Sequence, residues 1–241
     1  MRILITNDDS ISATQLLPLI RWCQKLGEVT VVVPEFEQSG MSHAIEIHKS
    51  FRATQRQLAP DITAWAVDSS PADCVRFAIL GLHMEFDLVI SGINKGYNIG
   101  SDIMYSGTVA ALFEAAALDV PAIAFSTSPS NYENAVHSLD EVWAYFKKNK
   151  LLEQHNLYNV NIPPHPKSIR ITCQGGPYYS DDFKPEENDY YHPMGKCVHV
   201  NHGDLTLDTD ATITGHISIM PMTIIRADMD MYRKLSQLNE P

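Results

Sequence analysis

Positive charge is scarce in this chain: 18 Lys and Arg stand against 29 Asp and Glu in 241 residues, a net charge of −11. That balance argues against a nucleic-acid-coating surface and against binding to anionic membranes, both of which need clustered Lys and Arg. Any phosphate-bearing ligand would have to be neutralised locally, and a divalent cation does so most directly. Cysteine is sparse too. Cys23, Cys74, Cys173 and Cys197 are widely spaced and form no CxxC pair, which excludes a zinc knuckle and a dense disulfide framework. Reduced thiols and a cytoplasmic location are therefore expected. Long apolar runs are missing. The opening ILI is too short for a signal-peptide core, and TVAALFEAAALDVPAIAF is broken by Glu114, Asp119 and Pro121, so no membrane span is expected. No internal repeat and no low-complexity tract is evident.

What the chain does contain is alternation. Ile3 to Thr6 is an apolar run bounded by polar turn residues, as suits a strand covered on both faces. ATQLLPLIRWCQKLG has helical spacing and ends at Gly27, a residue suited to the position just past a helix terminus, with Pro18 kinking the helix if it lies beyond the first turn. EVTVVVP is a second buried strand. HAIEIHKSF and TAWAV are read as strands flanking a polar stretch; SSPADCVRFAILGL as a helix with Ser70 as N-cap, Pro71 first and Asp73 third; DLVIS, TVAALFEAAAL and VPAIAFS as strand, helix and strand. Such a pattern predicts an α/β, Rossmann-like, doubly wound and mostly parallel sheet, with ligands beyond the carboxyl ends of its strands. Residues 1–150 are expected to form the catalytic core. Residues 151–241 are expected to add strands (NLYNVNIP, SIRITCQ and the strand-like LTLDTDATITGHISIMPM) and a hairpin arm, GGPYYSDDFKPEENDYYHPMGKC, within the same domain.

Three loops after apolar strands carry polar and small residues: NDDS, PEFEQSGMSH and SGINKGYNIGSDIMYSGT. Brought to one sheet edge, they offer Asp8, Asp9, the Ser39 hydroxyl and the Asn94 amide oxygen, an all-oxygen set that suits Mg²⁺, Mn²⁺ or Ca²⁺. Adjacent carboxylates repel unless something positive joins them. Helix capping is the competing use of the same aspartates, and turn formation that of Ser39 and Asn94. In the third loop a tight turn through Gly107 leads into a helix whose expected N-cap is Thr108, so Ser106, Gly107 and Thr108 could cradle a phosphate, with Asn98 adding a donor and Lys95 a charge. Capping alone is again the competing use. A cation beside a phosphate cradle is a hydrolase arrangement. A dinucleotide-binding module is disfavoured, because NDDSIS stands where a GxGxxG fingerprint would. His199 and His202 have metal-compatible spacing but no third ligand in a credible place; His43, close to Ser39, is the better candidate for a site neighbour, with a core or surface histidine as the competing and commoner use.

The stretches ILITNDD, VVVPEFEQSGMSHAI, SPADCVRFA, DLVISGINKGYNIGSDIMYSGTVAALFEAAALDVPAIAFS, NVNIP and GHISIMP together resemble the SurE family of metal-dependent nucleotidases, in the family order over nearly the whole chain. The resemblance implies a Rossmann-like core with a C-terminal arm exchanged between subunits in a homodimer or homotetramer. It implies hydrolysis of nucleoside 5′-monophosphates, with broader phosphatase or short-chain polyphosphatase activity beside it. It implies one divalent metal ion per subunit (Mg²⁺, Mn²⁺ or similar) on Asp8, Asp9, Ser39 and Asn94. Asn98, Ser106, Gly107 and Thr108 match the family's phosphate side, with Asp9, Asn98 and Ser106 taken as catalytic. Ser10 departs from the family's glycine, and a residue with a Cβ at positive φ would cost about 1 kcal/mol or more.

Overall fold

The computed structural model describes residues 1–238. Strand β1 (Arg2–Thr6) leads through α1 (Leu16–Cys23) to β2 (Glu28–Pro34). A hairpin of β3 (Ala53–Ala59) and β4 (Ile62–Val67) precedes α2 (Pro71–Arg76), which widens into a further turn at Phe77–Gly81. Then come β5 (Leu88–Lys95), a 3-10 segment at Gly100–Tyr105, α3 (Gly107–Ala117) and β6 (Ala122–Thr127). A second 3-10 segment, Pro129–Ser138, runs into α4 (Leu139–Lys148) and α5 (Leu151–Gln154), followed by β7 (Leu157–Ile162) and β8 (Ile169–Ile171). Strands β9 (Tyr179–Pro185) and β10 (Tyr191–Cys197) form a separate antiparallel hairpin; α6 (Asp208–Ile213), β11 (Ile217–Pro221) and α7 (Met229–Leu235) complete the order.

The main sheet runs β3-β4-β2-β1-β5-β6-β7-β11-β8, parallel from β4 to β7. Alternation along β1 explains its unbroken apolar run. Ile3 and Ile5 join Leu19, Ile20 and Val142 on the face covered by α1 and α4, and Leu4 joins Cys74, Val109 and Leu112 under α2 and α3. With both faces covered, the strand is apolar without interruption from Ile3 to Ile5. The chain leaves β1 for β2 on one side and returns to β5 on the other, so β1 and β5 flank the switch point where a crevice opens at the carboxyl ends of the strands.

Four local expectations are corrected. HAIEIHKSF is irregular, and the strand beside β4 is the polar ATQRQLA; as the sheet's edge strand, half exposed, β3 needs no apolar run. DTDATI within the last strand-like stretch is helix α6, its aspartates filling the first turn. Gly27 does not terminate α1, which is capped at Gln24. It is glycine because a Cβ there would lie 1.9 Å from the Met1 carbonyl oxygen. The N-cap of α3 is Ser106, not Thr108: the Ser106 hydroxyl accepts from Val109 N–H at 3.1 Å. Pro18 falls in the first turn of α1, where it is tolerated. The Ser70 cap on α2 is as expected, accepting from Asp73 N–H.

Candidate metal and phosphate site

The loop leaving β1 is a tight turn in which the Asn7 side-chain amide donates to the Ser10 carbonyl at 2.9 Å. Ser10 lies at φ 74°, the left-handed region that glycine favours, and its hydroxyl accepts from Ser12 N–H at 3.2 Å. That local bond offsets part of the backbone cost. Thermal unfolding is therefore expected to rank Ser10→Gly at least level with the parent and Ser10→Ala below it by about 1 kcal/mol, since alanine keeps the positive φ and loses the bond. A more stable alanine variant would refute this.

This turn delivers Asp8 into the interior, 4% exposed, and Asp9 to the rim. Thr108 Oγ1 donates to Asp8 Oδ1 at 2.6 Å, and Lys95 N–H donates to Asp9 Oδ2 at 2.9 Å. Burial pushes the Asp8 carboxyl up to about 6 against the pull of the Thr108 hydroxyl, with the Asp9 charge adding to the rise. Burial also raises Asp9, which Lys95 N–H partly counters and Glu37 reinforces. Among the described residues no Lys, Arg or His lies within ion-pair distance of either carboxylate. Beside them, Asn7 Oδ1 is buried with no hydrogen-bond partner among the described residues, and the buried Tyr132 hydroxyl faces Asp9, where it helps to hold the carboxyl down.

The second loop reaches the same place, Gln38 N–H donating to the Asp8 carbonyl at 2.8 Å. Ser39 is exposed, its hydroxyl donating to Glu37 Oε1 at 2.7 Å. The loop is held from behind. His43 Nε2 meets the buried Glu114 carboxylate at 2.9 Å, Arg76 Nη1 meets its other oxygen at 2.9 Å, Ser70 Oγ donates to the Ala44 carbonyl at 2.6 Å, and Glu46 N–H donates to Asp73 Oδ2 at 2.7 Å. Burial pushes the Glu114 carboxyl up, but the bonds from His43 and Arg76 outweigh it and hold it below the ordinary range. Glu114→Gln keeps the shape and loses the charge, so the Ser39 loop is expected to loosen, with faster amide hydrogen exchange across residues 38–46; unchanged exchange there would refute it.

Asn94 is the next-to-last residue of β5, its amide nitrogen donating to the Gly96 carbonyl at 2.9 Å. No described residue donates to its side-chain oxygen. Asn98 is deeply tied. One side-chain N–H goes to Ser126 Oγ at 2.8 Å, its backbone N–H to Asn161 Oδ1 at 2.9 Å, and its carbonyl accepts from Asn159 and Asn161 at 2.8 and 2.9 Å. Lys95 Nζ rests 5.9 Å from the centre of the Tyr132 ring. Gly107 packs against the β1 loop so closely that a Cβ would lie 3.1 Å from Asp8 Cβ and 3.3 Å from the Gln38 carbonyl. The N-terminus of α3 is thereby pressed onto Asp8, and its first N–H groups, which have no acceptor within the helix, face outward along the axis.

The structure thus brings the Asp8, Asp9, Ser39, Asn94 and Ser106–Thr108 loops to one crevice. Away from it, His199 Nε2 lies 2.9 Å from the buried Asp210 Oδ1. Among the described residues no three His, Cys, Asp or Glu side chains cluster as metal ligands, so a cation in the crevice would need the neutral oxygens of Ser39 and Asn94 beside the two carboxylates. A hard oxygen donor set with an uncompensated, buried negative charge fits a divalent cation. Glu37, Tyr132 and the Glu114 clamp were not foreseen. Only the glutamate carried a signal, as the one charge in an otherwise apolar helix.

The fold and crevice define a doubly wound α/β protein with an acidic, oxygen-lined site against a helix N-terminus. The sequence profile described as "Survival protein SurE" matches residues 3–181, and the chain belongs to the SurE family. It is 36% identical over 249 residues to a protein named 5′-nucleotidase SurE from Thermoanaerobacter sp. (strain X514), covering 99% of this chain and 97% of that one. It is 37% identical over 252 residues to the protein of the same name from Geotalea uraniireducens (strain Rf4), covering 99% and 98%. The crystal structure of the SurE protein from Aquifex aeolicus superposes over 100% of both chains with a TM-score of 0.77 at 28% identity.

Proposed function

We propose that the chain is a divalent-metal-dependent phosphomonoesterase that hydrolyses nucleoside 5′-monophosphates to nucleoside and phosphate. The observation that carries this reading is the buried Asp8 carboxylate, without a cationic partner among the described residues and hydrogen-bonded by Thr108 at the start of α3. Kinship with proteins named 5′-nucleotidase supports the substrate class.

Asp8, Asp9, Ser39 and Asn94 would hold one Mg²⁺ or Mn²⁺ ion. When bound, the ion draws charge from a phosphoryl oxygen and acidifies water. The backbone N–H groups at Gly107 and Thr108 and the Ser106 hydroxyl orient the remaining phosphoryl oxygens and stabilise the charge that grows on them. Asn98 fixes the loop between β5 and the Gly100–Tyr105 segment, with a second side-chain N–H left for the phosphate. Asp9, at the rim, takes the proton of the attacking water. The new P–O bond forms in line as the bond to the 5′-oxygen breaks, and that oxygen leaves as the nucleoside hydroxyl after taking a proton from solvent water.

A homodimer or homotetramer is part of the same reading. Phe183, Tyr190, Tyr191 and Met194 on the hairpin and Ile225, Tyr232 and Leu238 near the C-terminus are large, apolar and exposed, a surface suited to a second copy. All four cysteines are unpaired thiols, in keeping with a cytoplasmic location. Among the described residues no helix is long and apolar enough to cross a membrane.

Purified protein with Mn²⁺ or Mg²⁺ is expected to release phosphate from nucleoside 5′-monophosphates, and a chelator to stop the release reversibly. Undiminished turnover after chelation would remove the metal role. Tight nucleotide binding with no phosphate released would leave a binding module instead.

A further inference from the structure

We propose that the cleft between the root of the β9/β10 hairpin and the Gly100–Tyr105 segment holds the nucleoside of the substrate, with the base stacked on Tyr105 and Tyr179. This rests on the phosphomonoesterase reading above. The cleft has a volume of about 620 Å³ and adjoins the crevice on two sides, since its lining includes Gly40, next to Ser39, and Tyr105, next to Ser106. Its size lies in the range of small-molecule sites.

The walls are fixed although the hairpin beyond them is exposed. Asp102 Oδ2 accepts from Tyr178 N–H at 3.1 Å and Tyr179 N–H at 2.7 Å, which latches the hairpin root to the segment that precedes α3. Asp208 ties the same two parts together, accepting from Gly100 N–H at 2.8 Å and Gly175 N–H at 2.7 Å. On the other side, Ser42 N–H donates to the Tyr105 carbonyl at 3.0 Å and Ser42 Oγ to the Met104 carbonyl at 2.7 Å. Tyr105 and Tyr179 nonetheless remain 55% and 53% exposed, so their rings are available to a ligand.

The chemistry of the lining selects the occupant. It contains no Lys, Arg or His, and it carries the carboxylates of Asp102 and Asp181. A second phosphate would be repelled there. A neutral aromatic ring with hydroxyl and N–H donors is accommodated, the rings by stacking and the donors by carboxylate oxygens such as Asp102 Oδ1, which the latch leaves free. Stacking accepts any base face, so the site reads the presence of a base rather than its identity.

The test compares AMP, GMP, CMP and UMP with ribose 5-phosphate, which lacks only the base, in the full chain with Mn²⁺. The parent is expected to prefer every nucleotide to ribose 5-phosphate by on the order of tenfold or more in kcat/KM, with the four bases within a few-fold of one another. Tyr105→Ala and Tyr179→Ala are each expected to lower that preference about tenfold, mainly through KM. Adenosine binding, followed by calorimetry, is expected to weaken in parallel. Equal proportional losses on nucleotide and ribose 5-phosphate, or an unaltered preference, would overturn the proposal. If the parent hydrolyses none of these esters, the hydrolase reading fails, and adenosine titration of parent and tyrosine variants still decides the cleft: loss of binding in the variants supports it, and equal binding overturns it.

Discussion

Asp8→Asn is expected to reduce phosphate release by on the order of 10³-fold or more while making the metal-free protein more stable. Removing a residue that merely orients a ligand typically costs 10- to 100-fold, and a directly coordinating carboxylate should cost more. The side chain keeps its shape, and the amide oxygen still accepts from Thr108 Oγ1, so the fold does not suffer. What is lost is a buried charge with no cationic partner among the described residues. Because burial raises the carboxyl from 3.8 to about 6, the native state holds a proton between those values that the unfolded chain has released. Stability therefore falls as pH rises through this window, by up to about 3 kcal/mol in full above it, and the cost is absent below the unfolded value. Thermal unfolding with chelator present should show Asp8→Asn above the parent at pH 8 and the difference closing toward pH 4. Added Mn²⁺ should stabilise the parent more than the variant. Parental turnover in Asp8→Asn, or a gain from Mn²⁺ as large as the parent's, would refute the assignment of Asp8.

Gly92→Ala is expected to destabilise the protein by about 4 kcal/mol, a fall in melting temperature on the order of 10 °C for a chain of this size. Gly92 sits within β5 at φ +126°, and a Cβ there would lie 2.3 Å from the carbonyl oxygen of Phe125 in β6 and 3.1 Å from Asn94 N. The obstructing atoms are backbone of a central strand, which cannot rotate aside as a side chain would. Relief would have to come from moving β5 away from β6, and Asn94, two residues on, would move with it. Activity should fall with stability. A melting temperature within a few degrees of the parent would show that the strands yield more easily than their packing implies.

Much of the architecture was legible because it depends on local pattern. Buried parallel strands leave uninterrupted apolar runs, and the turns after β1, β2 and β5 stand out against them as abrupt polar loops. The edge strand β3 was misread for the converse reason. With one face in water, ATQRQLA has no apolar signature, and only pairing with β4 makes it a strand. Local sequence does not separate Ser106 from Thr108 as the cap of α3, because serine and threonine are both good caps; Thr108 is spared for Asp8 only once the β1 loop has been folded against it.

Composition and order along the chain determined that this is an acidic, doubly wound α/β protein with oxygen-rich loops at its switch point. Composition and pattern are silent on Ser10; only the family resemblance marks it as standing where glycine is expected, and its φ of 74° fits that expectation. The tertiary structure decided the partners. His43 finds Glu114 across 71 residues, Lys95 finds Asp9 across 86, and Tyr179 finds Asp102 across 77. No spacing rule links such pairs, because they meet only after separate strands have been laid side by side and their loops gathered at one edge. The identity of the buried charge, its lack of a cationic partner and the shape of the tyrosine-lined cleft are properties of that gathering.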